Sequence, residues 1–286
     1  MRHSNSVKVD RAVAEFLSRK LKVGEARWAP TIRHRLPVGL VILSACTTMS
    51  RLESPAPAIE ADRPDFTESP TTVPSGSVQA EGGYTYTRQE NSTSQSIGEL
   101  LVRVPAGPRA ELRVGFNSYW IEHAAGLVRR GLQDMAVGTK IRLIEHGERS
   151  TVPNVSIIVL STLPTGHRSI GSRAMQPTAK FALGWQLSER FSLQSNLNYS
   201  YAIEDGTRFS QWANSASFGA DITPRLETFV EWFGTNPVSL GARRADYLNT
   251  GAAMKFGGSF RLDARIGTNA RTTRNYFAGL GVSRRW

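Results

Sequence analysis

The chain has 286 residues, of which 40% are hydrophobic and 21% charged, with a formal net charge of +11 and one cysteine, Cys46. A single cysteine excludes an intramolecular disulfide framework, and no stretch approaches the ~18 consecutive apolar residues of a membrane helix. The positive charge does not mark a nucleic-acid binder, because nine of the 35 Lys/Arg but only three of the 24 Asp/Glu fall in residues 1–45, and beyond them both signs are interspersed without a basic block.

Residues 1–46 read as an export signal behind an N-terminal extension. Arg33, His34 and Arg35 precede the apolar run Leu36–Leu43, and Leu43-Ser44-Ala45-Cys46 follows. A positive flank, a short apolar core and a small-residue cleavage site define a secretory signal. Leu-Ser-Ala-Cys also resembles a bacterial lipobox, which makes Cys46 the lipidation candidate. The alternative is an ordinary signal cut after Ala56-Pro57-Ala58, and the thirty or so residues ahead of the basic flank raise the alternative of a later start.

Residues 47–76 hold prolines at 55, 57, 64, 70 and 74 among Ser, Thr and acids. Such a segment cannot pair inside a sheet and reads as an extended lead-in or plug. After Gly76 the pattern changes to period two. In Ser77–Arg88, Val78, Ala80, Gly82, Tyr84 and Tyr86 share one face, with Gln79, Glu81, Thr85 and Thr87 on the other. Arg109–Ile121 repeats this, with Leu112, Val114, Phe116 and Trp120 opposing Glu111, Arg113, Asn117 and Tyr119. Phe191–Ala202 and Phe260–Ile266 follow the same rule, and weaker matches cover 96–105, 131–145, 151–162, 174–186, 210–222, 226–233, 245–256 and 275–286. The sum is about twelve strands, near the 9–11 residues that cross a bilayer when tilted.

Short links are expected at 106–108, 146–148, 187–190, 223–225 and 257–259, and longer polar ones near 88–96, 122–130, 163–173, 202–209, 234–244 and 267–274. Short turns on one rim and longer loops on the other suit an outer-membrane barrel, and an even strand count puts both termini on the short-turn, periplasmic side. Tyr84, Tyr86, Trp120, Trp185, Tyr199, Tyr201, Trp212, Trp232 and Trp286 sit near strand ends, as interfacial girdles do. The expectation is one antiparallel transmembrane β-barrel over residues 77–286. Its partners would be outer-membrane lipid, the barrel assembly machinery reading the C-terminal strand, and an unidentified small solute, with no nucleic acid. A soluble β-sandwich or lipocalin-like barrel is the competing architecture.

Asp62-Arg63-Pro64-Asp65-Phe66-Thr67-Glu68-Ser69-Pro70, with Gly98–Arg103, Gly131–Asp134, Ser161–Gly166 and Leu187–Arg190, resembles the transporter-like family named for a meta-pathway of phenol degradation. The resemblance covers nearly everything after residue 59. It implies an outer-membrane barrel distantly similar to channels for fatty acids and aromatic hydrocarbons, and it gives no reason to expect phenol chemistry in the chain itself.

Asp62, Arg63, Pro64, Asp65, Phe66, Thr67 and Glu68 are the plug or gate candidates, with Arg63 and the carboxylates expected to pair with charges on the wall. The bland counterpart is a lead-in that only covers the open end. Glu111, Arg113, Lys140, Arg142, Glu227, Glu231, Arg261, Asp263 and Arg265 are expected to face the lumen, as a solute path or as mutually neutralising filler. His123, His146 and His167 are expected in loops, without metal-ligand spacing. No cofactor is expected. A barrel lipid hydrolase needs a His and a Ser in reach on the wall, and no strand is expected to carry a His, so the chain is read as a channel and not an enzyme. The remaining alternative is a closed structural or adhesion barrel. Pro164-Thr165-Gly166-His167-Arg168-Ser169 lacks the Gly-Lys-Ser/Thr ending of a phosphate loop and reads as a surface loop.

Overall fold

The computed structural model describes residues 58–147 and 150–286; the export signal and Cys46 lie outside the described residues. The described elements are β1 (Gln79–Gln89), β2 (Ser92–Pro105), β3 (Ala110–Gly115), β4 (Tyr119–Ala124), β5 (Leu127–Leu132), β6 (Ala136–Ile144), β7 (Asn154–Thr162), β8 (Gln176–Gln186), β9 (Phe191–Glu204), β10 (Thr207–Thr223), β11 (Leu226–Asn236), β12 (Ala245–Phe256), β13 (Phe260–Asn269) and β14 (Thr272–Arg285). All neighbours are antiparallel, and β1 pairs with both β2 and β14, which closes the sheet. Closure removes the unpaired edges that hydrocarbon does not tolerate.

The wall has twelve strands and two extra pieces. β3 pairs with the C-terminal half of β2 (Val102↔Val114), while β4 pairs with its N-terminal half (Gln95↔Ile121) and carries β5 beside it. β3 and β4 thus continue one line across a break at 116–118, as do β6 and β5 across 133–135. That break corrects one expectation. Tyr119 pairs with the exposed Ile97 and Trp120 with the buried Ser96, so Tyr119 lies on the outer face and Trp120 on the inner one. Alternation cannot be carried through an interruption, because one displaced residue reverses every face beyond it.

The start of β1 and the end of β14 meet on one rim, the terminal rim, where Val78 and Trp286 exchange backbone hydrogen bonds of 3.0 and 2.9 Å. The opposite rim has two longer connections, 163–175 and 237–244. Its other links are tighter than the sequence suggests: the strands run on and close in two-residue turns at 90–91, 125–126, 205–206 and 270–271. At Ala125-Gly126 and Asp205-Gly206 both residues have positive φ (50° and 76°, 49° and 79°), the conformation whose twist matches paired strands. On the terminal rim the 145–153 link is longer than its expected three residues.

Faces sort as a membrane barrel requires. Leu112, Val159, Leu197, Val230, Leu248, Ile266 and Leu280 point outward and exposed, while Glu81, Arg103, Glu111, Lys140, Asn196, Ser215, Glu231 and Asp263 are buried inside. A soluble barrel would reverse this. Leu280, near the middle of β14 and 63% exposed, is a direct probe. Leu280→Arg should destabilise the barrel in lipid by about 2–4 kcal/mol, read from denaturant-dependent folding into vesicles; an unchanged midpoint would mean that this face does not meet hydrocarbon.

Candidate functional site in the barrel lumen

Residues 59–74 run as irregular backbone inside the ring of strands. Buried peptide groups outside a ladder need partners, and here wall side chains provide them all around the circumference. Glu60 O accepts from Gln79 Nε2 on β1 (2.6 Å), Pro64 O from Arg265 on β13 (2.8 Å), Ser69 O from Lys140 on β6 (2.8 Å) and Pro70 O from Ser156 on β7. Val73 N donates to Glu111 on β3 (2.8 Å). Asn196 on β9 holds Glu68 at both ends, accepting from its N (2.6 Å) and donating to its O (2.9 Å).

The densest contact is an eight-charge cluster. Four acids (Asp62, Glu68, Glu81, Glu111) meet four bases (Arg103, Arg113, Lys140, Lys180). Asp62 is its hub, at 2.6 Å from Arg113, 3.1 Å from Lys140 and 3.5 Å from Arg103. Arg103 also bridges Glu111 (2.9 Å) and Glu81 (3.0 Å), and Glu68 joins Arg113 (2.9 Å) to Lys180. Lys140 and Glu111 are fully buried, where charges persist only when paired and hydrogen-bonded. Burial alone would raise the Asp62 carboxyl, but Arg103, Lys140 and Arg113 hold it well below the usual range. Glu68, opposed by the same burial, is held at about 2 by Lys180 and Arg113.

A second hold is the Glu231 carboxylate of β11. It accepts from Phe66 N (2.9 Å), Thr67 N (2.7 Å) and Thr67 Oγ1 (2.6 Å), and from Asn249 Nδ2 on β12 (2.8 Å). Asp65 stands in the same neighbourhood. Burial and the Glu231 charge push its carboxyl well above the usual range, against the pull of Arg261.

Arg63 makes the third hold, in a slot of missing side chains. It pairs with Glu99, donates to Leu280 O (3.2 Å) and lies 3.8 Å from Asp263. A Cβ at Gly83 would sit 2.4 Å from its guanidinium carbon, and one at Gly281 2.5 Å from its Nε. Glu99 reaches the lumen through a bulge: between the Glu81↔Leu101 and Gly83↔Gly98 pairs, Glu99 and Leu100 oppose the single Gly82.

Away from the terminal rim, aromatic rings take over. Phe66 stacks on Phe233 at 4.6 Å with planes 10° apart, and Phe233 on Tyr247 at 4.9 Å and 15°. Phe277 closes the group at 6.1 Å from Phe233, with Arg265 5.3 Å over its ring. Toward the terminal rim lies a polar cavity of about 170 Å³ between the lead-in and β8–β13, lined by Asp65, Arg190, Gln194, Glu227, Lys255 and Arg261 among others. Glu227 there pairs with Lys255 (2.6 Å) and Arg261.

The expected lumen residues all lie on the inner face. Arg142 stands apart at the terminal rim, bonded to Glu145 (2.6 Å) and Pro108 O (2.8 Å), outside the central cluster. Sequence reasoning did not single out Glu81, Glu99, Arg103, Lys180 or Asn196. Glu81 and Asn196 were legible as polar-face residues, whereas the bulge hides Arg103 and Glu99. His123 corrects another expectation: it lies on β4, exposed and paired opposite Thr93. Tyr119 and Ile121, four and two residues earlier on the same strand, share its outer face, so His123 does not meet the lumen. His167 touches Ser169 (2.8 Å) locally in the 163–175 loop.

No curated protein matches the chain by sequence. The family model described as "Putative MetA-pathway of phenol degradation" matches residues 61–286. Among solved structures, the COG4313 outer membrane channel from Pseudomonas putida F1 is similar with a TM-score of 0.61 and 13% identity, covering 79% of this chain and 100% of that one. At that identity the likeness shows the fold alone, a closed antiparallel outer-membrane β-barrel. The NanC porin aligns with a TM-score of 0.49 and 10% identity over 72% of this chain and 98% of its own, too weak to carry an argument.

Proposed function

The chain belongs to the family described as "Putative MetA-pathway of phenol degradation", and on this premise we propose that it is an outer-membrane channel for small hydrophobic or aromatic solutes, with both termini periplasmic and the 47–76 lead-in as its plug. The observation that carries the reading is the ring stack of Phe66, Phe233 and Tyr247 inside an otherwise ionic lumen. Aromatic side chains offer large apolar contact with a preferred stacking geometry, and this stack includes a plug residue. A solute that inserts between Phe66 and Phe233 would compete directly with plug docking. The chemistry required is displacement and passage, with no bond made or broken, and the reading is therefore of a channel and not an enzyme. The C-terminal strand, ending in the outward Trp286, suits recognition by the barrel assembly machinery.

Flux into proteoliposomes tests it, comparing weakly permeant aromatic acids with sugars of similar mass. Aromatic solutes should enter faster, and Phe233→Ala should abolish most of that preference. Equal entry of both classes would contradict the aromatic reading. No flux of any solute, even without the plug, would favour a closed structural barrel.

A further inference from the structure

The connection 163–175 is held in a fixed form by a carboxylate at the end of the neighbouring wall. Asp134 accepts from Gly166 N (2.8 Å), Ser172 N (2.7 Å) and Ser172 Oγ (2.6 Å). Leu132 O accepts from His167 N (2.7 Å), which lays the loop along the outer edge of β5. So anchored, the loop presents Arg168 and Arg173 on a recess of about 490 Å³ with Pro164 and Gly166. Arg173 donates to Arg168 O (3.0 Å), which ties the two arms of the loop together. Arg208 joins from β10, donating to Met175 O (3.1 Å) with its guanidinium 5.1 Å over the Tyr201 ring. Among the nearby carboxylates, Asp134 is engaged by the loop, Glu122 by Arg129 (2.5 Å) and Glu204 by Leu240 N (2.7 Å), and Asp205 in the adjoining turn is not free either.

Beside these arginines the surface is apolar and faces outward. Val128, Leu132, Met175, Phe181, Tyr201 and Trp212 are all exposed. Guanidinium groups ranged above an apolar, aromatic belt fit an amphiphile whose head is a phosphate and whose tail lies in the bilayer. An acidic protein partner would leave the apolar belt unused. We propose that Arg168, Arg173 and Arg208 form a binding site for the phosphates of an anionic outer-leaflet glycolipid of the lipopolysaccharide class. The outer-leaflet assignment rests on the periplasmic termini of the preceding reading; solute transport plays no part in it. The loop that lacks a phosphate-loop ending would thus meet phosphate through side chains and not through a backbone nest.

The test is a titration of the purified full-length barrel, in detergent, with lipopolysaccharide, its dephosphorylated form and inorganic phosphate. Arg168→Gln/Arg173→Gln/Arg208→Gln is compared with Arg271→Gln/Arg274→Gln, a control elsewhere on the same rim. Each arginine at an anionic lipid surface is worth on the order of fivefold in affinity, so the triple variant should bind about a hundredfold more weakly. The control should bind like the native protein, and dephosphorylation should mimic the triple variant. Heat-modifiable migration on gels verifies that each variant is folded. Equal binding of phosphorylated and dephosphorylated lipid, or an unchanged triple variant, would overturn the proposal. Inorganic phosphate competing at the lipid's own concentration would overturn the lipid assignment. Solute flux is unaffected by these outcomes, so this failure is distinguishable from failure of the channel reading.

Discussion

Asp62→Ala opens the barrel. Among the described lead-in residues Asp62 alone meets three wall cations, Arg103, Arg113 and Lys140. Removing its carboxylate leaves those cations facing only Glu81, Glu111 and Glu68. Breaking one partner out of a buried ion cluster costs about 3–5 kcal/mol, and that cost falls on the docked state, because a displaced lead-in lets water reach the wall. A shift of this size moves a docked-to-released ratio by about two to four powers of ten. In planar bilayers the variant should show large, long-lived conductance states that the native chain visits rarely. Asp62→Asn should do the same to a smaller extent, since the amide keeps the volume and loses the charge. Native-like conductance in both variants would mean that the cluster fills the lumen without governing passage.

Acid should produce the same opening in the native chain, in a defined window. Glu68 is held at about 2 when docked, below its ordinary 4.5, and Asp62 is also depressed. A depressed carboxylate contributes docking stability that is complete above its released value and lost as pH falls through its docked value. For Glu68 that window runs from about pH 4.5 down to about pH 2, and the contribution amounts to about 3 kcal/mol. The Asp62 contribution does not simply add, because both carboxylates share Arg113. Asp65 works in the opposite sense. Its carboxyl is raised when docked, so docking is weakened once pH exceeds its released value and is restored as Asp65 takes up a proton. The open fraction should therefore fall on mild acidification and rise steeply below about pH 4. Glu68→Gln should flatten the steep limb and raise the open fraction at neutral pH. A monotonic fall in conductance down to pH 2 would contradict this account.

The wall was legible in the sequence because a lipid-facing strand must alternate, and Tyr84/Tyr86 against Glu81/Thr85 do so without interruption. Legibility failed where the ladder is irregular. The break after Phe116 reverses the faces of Tyr119 and Trp120, and the bulge at Glu99-Leu100 conceals Arg103, the base that joins Glu81 to Glu111. Asp205-Gly206 is a two-residue hairpin signal, and there the flanking polar residues continue the strands where composition alone suggests a loop. In the lumen, the segment Asp62–Glu68 stood out by composition, but its partners did not. Thr67 meets Glu231 across 164 residues of sequence, and which wall residues share a level is set by strand tilt and stagger, which alternation does not encode.

Single-channel conductance of the chain lacking residues 60–70, beside the native chain in the same bilayers, tests the plug most directly. Deletion removes Asp62, Arg63, Phe66, Thr67 and Glu68 together and leaves the strand ladder whole, with heat-modifiable migration as the check on folding. The account predicts a stable open level several times the native conductance, with the acid response gone. A deletion variant with native conductance and a native acid response would contradict it.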